Sequence, residues 1–281
     1  MAPEYYIFTG RRIPDYVTHV LIDKSLKFVP ASVFYLHQNI QELICHDGVV
    51  KIERMAFYTC PSLRRVIMPG VKEVEKNAFR GCRALTYIEC GRLEIIGAGA
   101  FSECTSLNSV DLSSIKHVAI YAFSSCKNLT NVKFGEDLET IGMGVFHYCR
   151  SLERITLPLK DGMITDDDII RACDNLNHID LFGGVHETIA ALLMDEWKHD
   201  MNDEIGTISQ NLEIINDGDK TREIQTWIRS VLGKIVHYKA EHNRILNEAA
   251  ATLQPALPND IVLKNIFPFI ELPSFTFEGE H

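Results

Sequence analysis

The sequence predicts an α/β protein: a repeat solenoid with a parallel β-sheet along one face, followed by an antiparallel α-helical hairpin. Three observations carry that expectation. Phe34, Phe57, Phe79, Phe101, Phe123 and Phe146 recur at steps of 23, 22, 22, 22 and 23 residues, and such a period marks small units that bury their apolar faces by stacking. Within each unit, about six residues alternate apolar and polar, as in a strand with one buried face. Beyond residue 184 the apolar spacing changes to threes and fours, the helical period. The chain divides accordingly into a solenoid (1–184), a helical hairpin (185–254) and a short helix with a C-terminal tail (255–281).

Three residues after each Phe from Phe57 onward stands a cysteine: Cys60, Cys82, Cys104, Cys126 and Cys149. Three further on come Leu63, Leu85, Leu107, Leu129 and Leu152, and then the strand positions Val66, Ile88, Val110, Val132 and Ile155. Met68, Cys90, Leu112, Phe134 and Leu157 continue each strand two residues later on the same face. Val71, Leu93, Ile115, Leu138 and Val74, Ile96, Val118, Ile141 carry the chain around the outer side to the next Ala-Phe pair. Weaker copies extend the pattern upstream, through Ile40, Leu43 and Cys45 and through Val17, Val20 and Ile22, and downstream through Ile170, Cys173, Leu176, Ile179 and Leu181. Eight strand segments stacked about 4.8 Å apart would run for roughly 34 Å. Thr165 followed by Asp168 has capping-box spacing and predicts a last outer helix.

His186 to Ile215 forms the first predicted helix, with Ile189, Leu193, Trp197, Met201, Ile205, Ile208 and Leu212 on one face. Asn216-Asp217-Gly218 breaks it. A second helix starts near Asp219 with a coiled-coil-like seam of Ile224, Ile228, Val231, Ile235, Tyr238, His242, Ile245 and Ala249, and Pro255 ends it. So short a connection makes the pair antiparallel. The hairpin either packs back on the end of the solenoid or projects, in which case it could form a homo-oligomer.

The repeats resemble the leucine-rich repeat family and, within it, the BspA-type subclass, whose repeat carries Ala-Phe, a Cys three residues on, Ser-Leu and a short Val/Ile strand. Stretches such as IGAGAFSECTSLNSVDL and VAIYAFSSCKNLTNVKF carry the likeness, which spans residues 17–181. It implies a curved solenoid lined by a parallel sheet, and because the subclass includes many proteins with no assigned activity it transmits a shape more than a chemistry. The extension from Arg222 to Leu253, with the tail after it, resembles that of uncharacterised leucine-rich repeat proteins from diatom-like algae. The tail is also similar to the opening of an F-box, on Leu257, Pro258, Ile261, Ile266 and Phe267, although Pro268 would interrupt the helix and the chain stops short of a whole box. That likeness implies, as an alternative function, a substrate-receptor subunit of a ubiquitin ligase. Otherwise the segment is a short amphipathic helix docking on the hairpin.

Charge narrows the function further. Residues 1–184 carry 20 basic against 22 acidic side chains and residues 185–281 carry 8 against 16, so no basic stripe is present for nucleic acid. No run approaches 18 uninterrupted apolar residues and the N-terminus lacks a secretory pattern, so the expectation is a protein of the cytoplasm without membrane contact. All eight cysteines fall on buried columns without Cys-x-x-Cys spacing, which predicts free thiols, with a stacked metal or redox ladder as the alternative. Asp166, Asp167 and Asp168 could hold a cation or simply open a helix. His186-Glu187 lacks a zincin's second histidine, and nucleophile-elbow and phosphate-loop patterns are missing. No enzyme activity, cofactor or metal is therefore expected.

What remains is a surface. Alternation directs one pair of residues per strand to the open face of the sheet: His19 and Leu21, Glu42 and Ile44, Arg65 and Ile67, Tyr87 and Glu89, Ser109 and Asp111, Asn131 and Lys133, Arg154 and Thr156, His178 and Asp180. An apolar and aromatic cluster with an arginine has the composition of a binding hot spot. The expected protein-binding residues are Ile44, Arg65, Ile67, Tyr87, Glu89, Asp111, Lys133 and Arg154, on a non-enzymatic scaffold for an unidentified protein partner. The alternative is a ladder of β-formers present for strand propensity alone.

Overall fold

The structure, a computed structural model, describes residues 5–160, 163–164, 168–182, 185–212 and 220–253. Coils of the solenoid stack so that their strands form parallel sheets. The first sheet runs in the order β1 (Tyr6–Phe8), β2 (His19–Ile22), β4 (Glu42–Ile44), β6 (Arg65–Ile67), β8 (Tyr87–Glu89). A second, six-stranded sheet is built from two-residue strands: β3 (Phe28–Val29), β5 (Lys51–Ile52), β7 (Glu73–Val74), β9 (Ile95–Ile96), β10 (His117–Val118) and β12 (Thr140–Ile141). The first sheet resumes as a three-stranded one, β11 (Asn131–Lys133), β13 (Arg154–Pro158) and β14 (His178–Phe182).

The phenylalanines form one column through the core. From Phe34 to Phe146 the rings stack near-parallel, at 4.7 Å between Phe34 and Phe57 and 5.9 Å between Phe123 and Phe146. Phe8 adds an unforeseen rung, 4.8 Å from Phe34, so Phe34 has an aromatic neighbour on both sides. From Phe34 to Phe146 each of these Phe residues sits in a corner flanked by two left-handed residues, at two positions before and two after it. Met55 and Thr59 flank Phe57, Tyr121 and Ser125 flank Phe123, and glycine stands at Gly81, Gly99 and Gly144 of the same columns. The left-handed conformation costs an L-residue about 1–2 kcal/mol. It persists because it aims alternate N–H groups at the next coil, as in Met55 to the Lys76 carbonyl (3.1 Å), Phe57 to Ala78 (2.7 Å) and Thr59 to Arg80 (2.7 Å).

The cysteine column does more than fill space. Each Sγ donates to the carbonyl of the Phe one coil back: Cys60 to Phe34 (3.0 Å), Cys82 to Phe57 (3.1 Å), Cys104 to Phe79 (3.2 Å), Cys126 to Phe101 (3.1 Å), Cys149 to Phe123 (3.1 Å) and Cys173 to Phe146 (3.0 Å). The Phe79 carbonyl also accepts the N–H of Cys82 at 3.2 Å. A thiol is thus the smallest apolar side chain that also satisfies a buried corner carbonyl. All eight cysteines are free and buried.

Three expectations are corrected within the solenoid. The strand expected around Ser109–Asp111 does not form, and that repeat meets the next through the isolated Leu112–Phe134 bridge and the Thr130 N–H on the Asn108 carbonyl (3.4 Å). There Asp111 accepts the Ser113 N–H (2.9 Å), and Asn108, Ser109 and Ser114 surround it, so local polar bonds compete with the ladder. The outer segments, read as a simple return path, pair into the second sheet. Residues 168–172 are turns rather than the expected outer helix, while Thr165, Asp166 and Asp167 lie outside the described residues.

Beyond β14 come α1 (Val185–Ala190), α2 (Asp195–Leu212) and α3 (Lys220–Leu253). The single helix expected from His186 is interrupted at residues 191–194. The turn there seats Leu192 in the core at 4% exposure and swings Leu193 out to 45%. Antiparallel packing of α2 and α3 follows from their contacts. Trp227 Nε1 donates to the Glu204 carbonyl (2.7 Å), Lys234 reaches Asp200 (2.9 Å), and the Trp197 and Tyr238 rings stack at 5.4 Å. The start of α3 caps the solenoid, with Lys220 Nζ donating to the Leu176 carbonyl and Gln225 Nε2 to that of Ile164, each at 3.4 Å. Ile224, Ile228, Val231 and Ile235 are buried, so this part of the expected coiled-coil seam is occupied within the chain. Asn216-Asp217-Gly218 and the F-box-like segment lie outside the described residues. No described helix is long and apolar enough to cross a membrane.

Candidate binding face

Parallel register converts strand alternation into rows across the open face of the first sheet. His19 pairs with Glu42, Glu42 with Arg65 and Arg65 with Tyr87. One pleat further along, Ile7 pairs with Leu21, Leu21 with Ile44, Ile44 with Ile67 and Ile67 with Glu89. The face therefore carries an apolar row of four side chains beside a row of polar and aromatic ones. Ile7 is 54% exposed and Tyr87 46%.

The polar row is cross-braced. Glu42 is buried and accepts the Tyr5 hydroxyl, while Arg65 Nε lies 3.5 Å from its other oxygen. That hydrogen bond holds the Tyr5 phenol above its ordinary range. Arg65 in turn lies over the Tyr87 ring, 5.2 Å from its centroid, and the Tyr87 hydroxyl donates to Glu89 (3.3 Å). Tyr5 also meets the His19 ring edge-on at 5.3 Å. Such bracing holds Arg65 and Tyr87 in fixed poses at little further entropic cost on binding.

Of the eight residues expected to bind, Ile44, Arg65, Ile67, Tyr87 and Glu89 come together on this five-stranded sheet. Lys133 and Arg154 stand on the separate three-stranded sheet, where Arg154 pairs with Asp180 at 2.5 Å. Asp111 lies in the gap, exposed but on no strand. Tyr5 and Ile7 were missed. Their segment lacks the Leu and Cys columns, and only the alternation Tyr6, Phe8 about Ile7 hinted at a strand.

The second sheet presents a different surface, with charges paired among themselves. Lys51 lies 2.8 Å from Glu73 and 2.9 Å from Glu75, and Glu94 joins Lys72 (2.9 Å) to Lys116 (3.2 Å). Lys51 is held above its ordinary value by Glu73 and Glu75, and Glu94 below its own by the two lysines. The buried thiols offer little chemistry, since desolvation pushes Cys45 and Cys126 up to about 12. Among the described residues no group of His, Cys, Asp or Glu could hold a metal ion.

Comparison with known proteins adds the family. A leucine-rich repeat protein of T. pallidum is 30% identical over 50% of this chain and 69% of that one, with a TM-score of 0.44. One from Bacteroides ovatus is 24% identical over 61% of this chain, with a TM-score of 0.50, and this chain covers 47% of its length. No curated protein matches the chain. The kinship expected with diatom-type proteins through the helical extension finds no support, because the family match ends at residue 189. That match, to six copies of the BspA type leucine rich repeat region, spans residues 13–112 and 72–189. More than half of the chain is thereby accounted for, and the protein belongs to the BspA type leucine rich repeat family.

Proposed function

We propose that the chain is a non-enzymatic scaffold that holds a protein partner on the open face of its first sheet. Leucine-rich repeat proteins are typically binding scaffolds and generally not catalysts. The observation that carries the reading is the uncovered row Ile7–Leu21–Ile44–Ile67, set beside the braced Arg65–Tyr87 pair. Rigid strands, contiguous apolar surface and an arginine stacked on a tyrosine make the makings of a hot spot. Glu89 borders this centre, and Asp111, Lys133 and Arg154 extend it toward the three-stranded sheet.

The test is co-purification with the Arg65→Ala/Tyr87→Ala variant, alongside Lys72→Ala/Lys116→Ala on the second sheet as a control. A protein captured by the wild type and the control, and lost by the first variant at unchanged melting temperature, is the expected result. Equal capture by all three would place binding elsewhere.

A further inference from the structure

The charges of the two sheets are balanced differently. On the second sheet Lys51, Lys72 and Lys116 neutralise their neighbouring glutamates. On the open face of the first, the apolar row ends at Glu89, which is exposed, and the exposed Asp111 lies on the next coil. Among the described residues the Glu89 carboxylate accepts the Tyr87 hydroxyl (3.3 Å) and the Asp111 carboxylate the Ser113 N–H (2.9 Å), neutral donors both. Among the described residues neither has an ion-pair partner. The basic groups nearest along the face are otherwise arranged: Arg65 leans toward Glu42, Arg154 pairs with Asp180, and Lys133 stands across the parting of the sheet without reaching either acid. The two carboxylates act on one neighbour. Both lie near Cys90, whose Sγ donates to the Asp111 carbonyl at 3.6 Å, and after desolvation they are what pushes its thiol up to about 12.

An apolar strip that ends in two uncompensated carboxylates selects a ligand of complementary pattern. We propose that the open face binds an extended segment of a partner protein that lays apolar side chains on Ile7, Leu21, Ile44 and Ile67 and places a lysine or arginine at Glu89 and Asp111. The proposal rests on the scaffold reading and adds the chemistry of the partner. Four strands at about 4.8 Å spacing make the apolar strip roughly 14 Å long, the reach of about four extended residues. The basic residue therefore stands at one end of an apolar stretch of that length. The whole chain carries a net charge of −10, which further favours encounter with a basic segment.

The experiment is a random-peptide array probed with the full chain, with Glu89→Gln/Asp111→Asn and with Ile44→Asp/Ile67→Asp. Peptides that join a Lys or Arg to an apolar stretch should be enriched by the wild type and lost with Ile44→Asp/Ile67→Asp. Against Glu89→Gln/Asp111→Asn, their dissociation constants by fluorescence anisotropy should rise about 3- to 10-fold, the value of one or two exposed ion pairs. Added salt should weaken the wild type toward that variant. Enriched peptides without a basic residue, or unaffected by the loss of the two acids, would overturn the proposal while leaving the scaffold reading intact. No enrichment, or enrichment indifferent to both variants, would overturn the two together. The melting temperature of each variant is measured in parallel, and Ile44→Thr/Ile67→Thr replaces the aspartate pair if that variant does not fold.

Discussion

Replacing Phe101 with alanine removes one rung from the middle of the aromatic column. The ring is fully buried, and its neighbours Phe79 and Phe123 each stack on it at 5.4 Å. Loss of a buried phenyl group costs about 3–5 kcal/mol through transfer and cavity terms, with the two stacks accounting for part of the upper end. For a domain of this size that corresponds to a drop in melting temperature of roughly 6–20 °C. Phe34→Ala should cost nearly as much, because Phe8 at 4.8 Å and Phe57 at 4.7 Å enclose it just as fully. Paired thermal and urea melts by circular dichroism test both. If Phe34→Ala shifts the midpoint by less than half of what Phe101→Ala does, Phe8 is not a rung of the column and the first coil is not packed as described.

Gly135→Ala should destabilise by about 1–3 kcal/mol or more, since its Cβ would stand 1.7 Å from the Ser113 carbonyl oxygen, whereas Gly91→Ala, with nothing within 4 Å, should be nearly neutral in the same melts. Cys126 titrates at about 12 when folded against an ordinary 9.0; its stabilising effect is full below pH 9 and is lost as pH rises toward 12, because the unfolded thiol ionises first. A far-UV titration should show stability falling above pH 9, and thiol reagents at pH 8 should label the native protein far more slowly than the unfolded one. Rapid labelling of several thiols in the native state would refute the buried column. Ile235→Asp puts a charge into the α2–α3 interface, where Ile235 is 3% exposed, and should lower the melting point by several degrees without altering the mass by light scattering; a change of mass alone would mean that the seam joins chains.

The repeat itself was legible because each of its core positions contacts its own copy on the next coil. A column such as Cys60, Cys82, Cys104 and Cys126 is chemically uniform because its environment is translationally repeated, and that uniformity is visible in the sequence without any structure. The open-face residues were likewise readable, since strand alternation needs only the phase of the repeat. Three things lay beyond that reading. The left-handed corners at Met55, Thr59 and Tyr121 are carried by residues with no such propensity, and only hydrogen bonds to the adjacent coil impose them. The second sheet is made of strands two residues long, too short for any alternation to show, and exists because stacked coils bring their backbones into register. The parting at Ser109–Asp111 and the turn that exposes Leu193 turn on competition between local bonds or helix phase and the surrounding core, which no single segment contains. Periodicity thus determined the solenoid, its buried columns and which residues alternate toward the open face. Which of those residues adjoin, which charges remain uncompensated, and where the face is interrupted were decided by contacts between coils, because those depend on register across 22 residues or more rather than on sequence within one repeat.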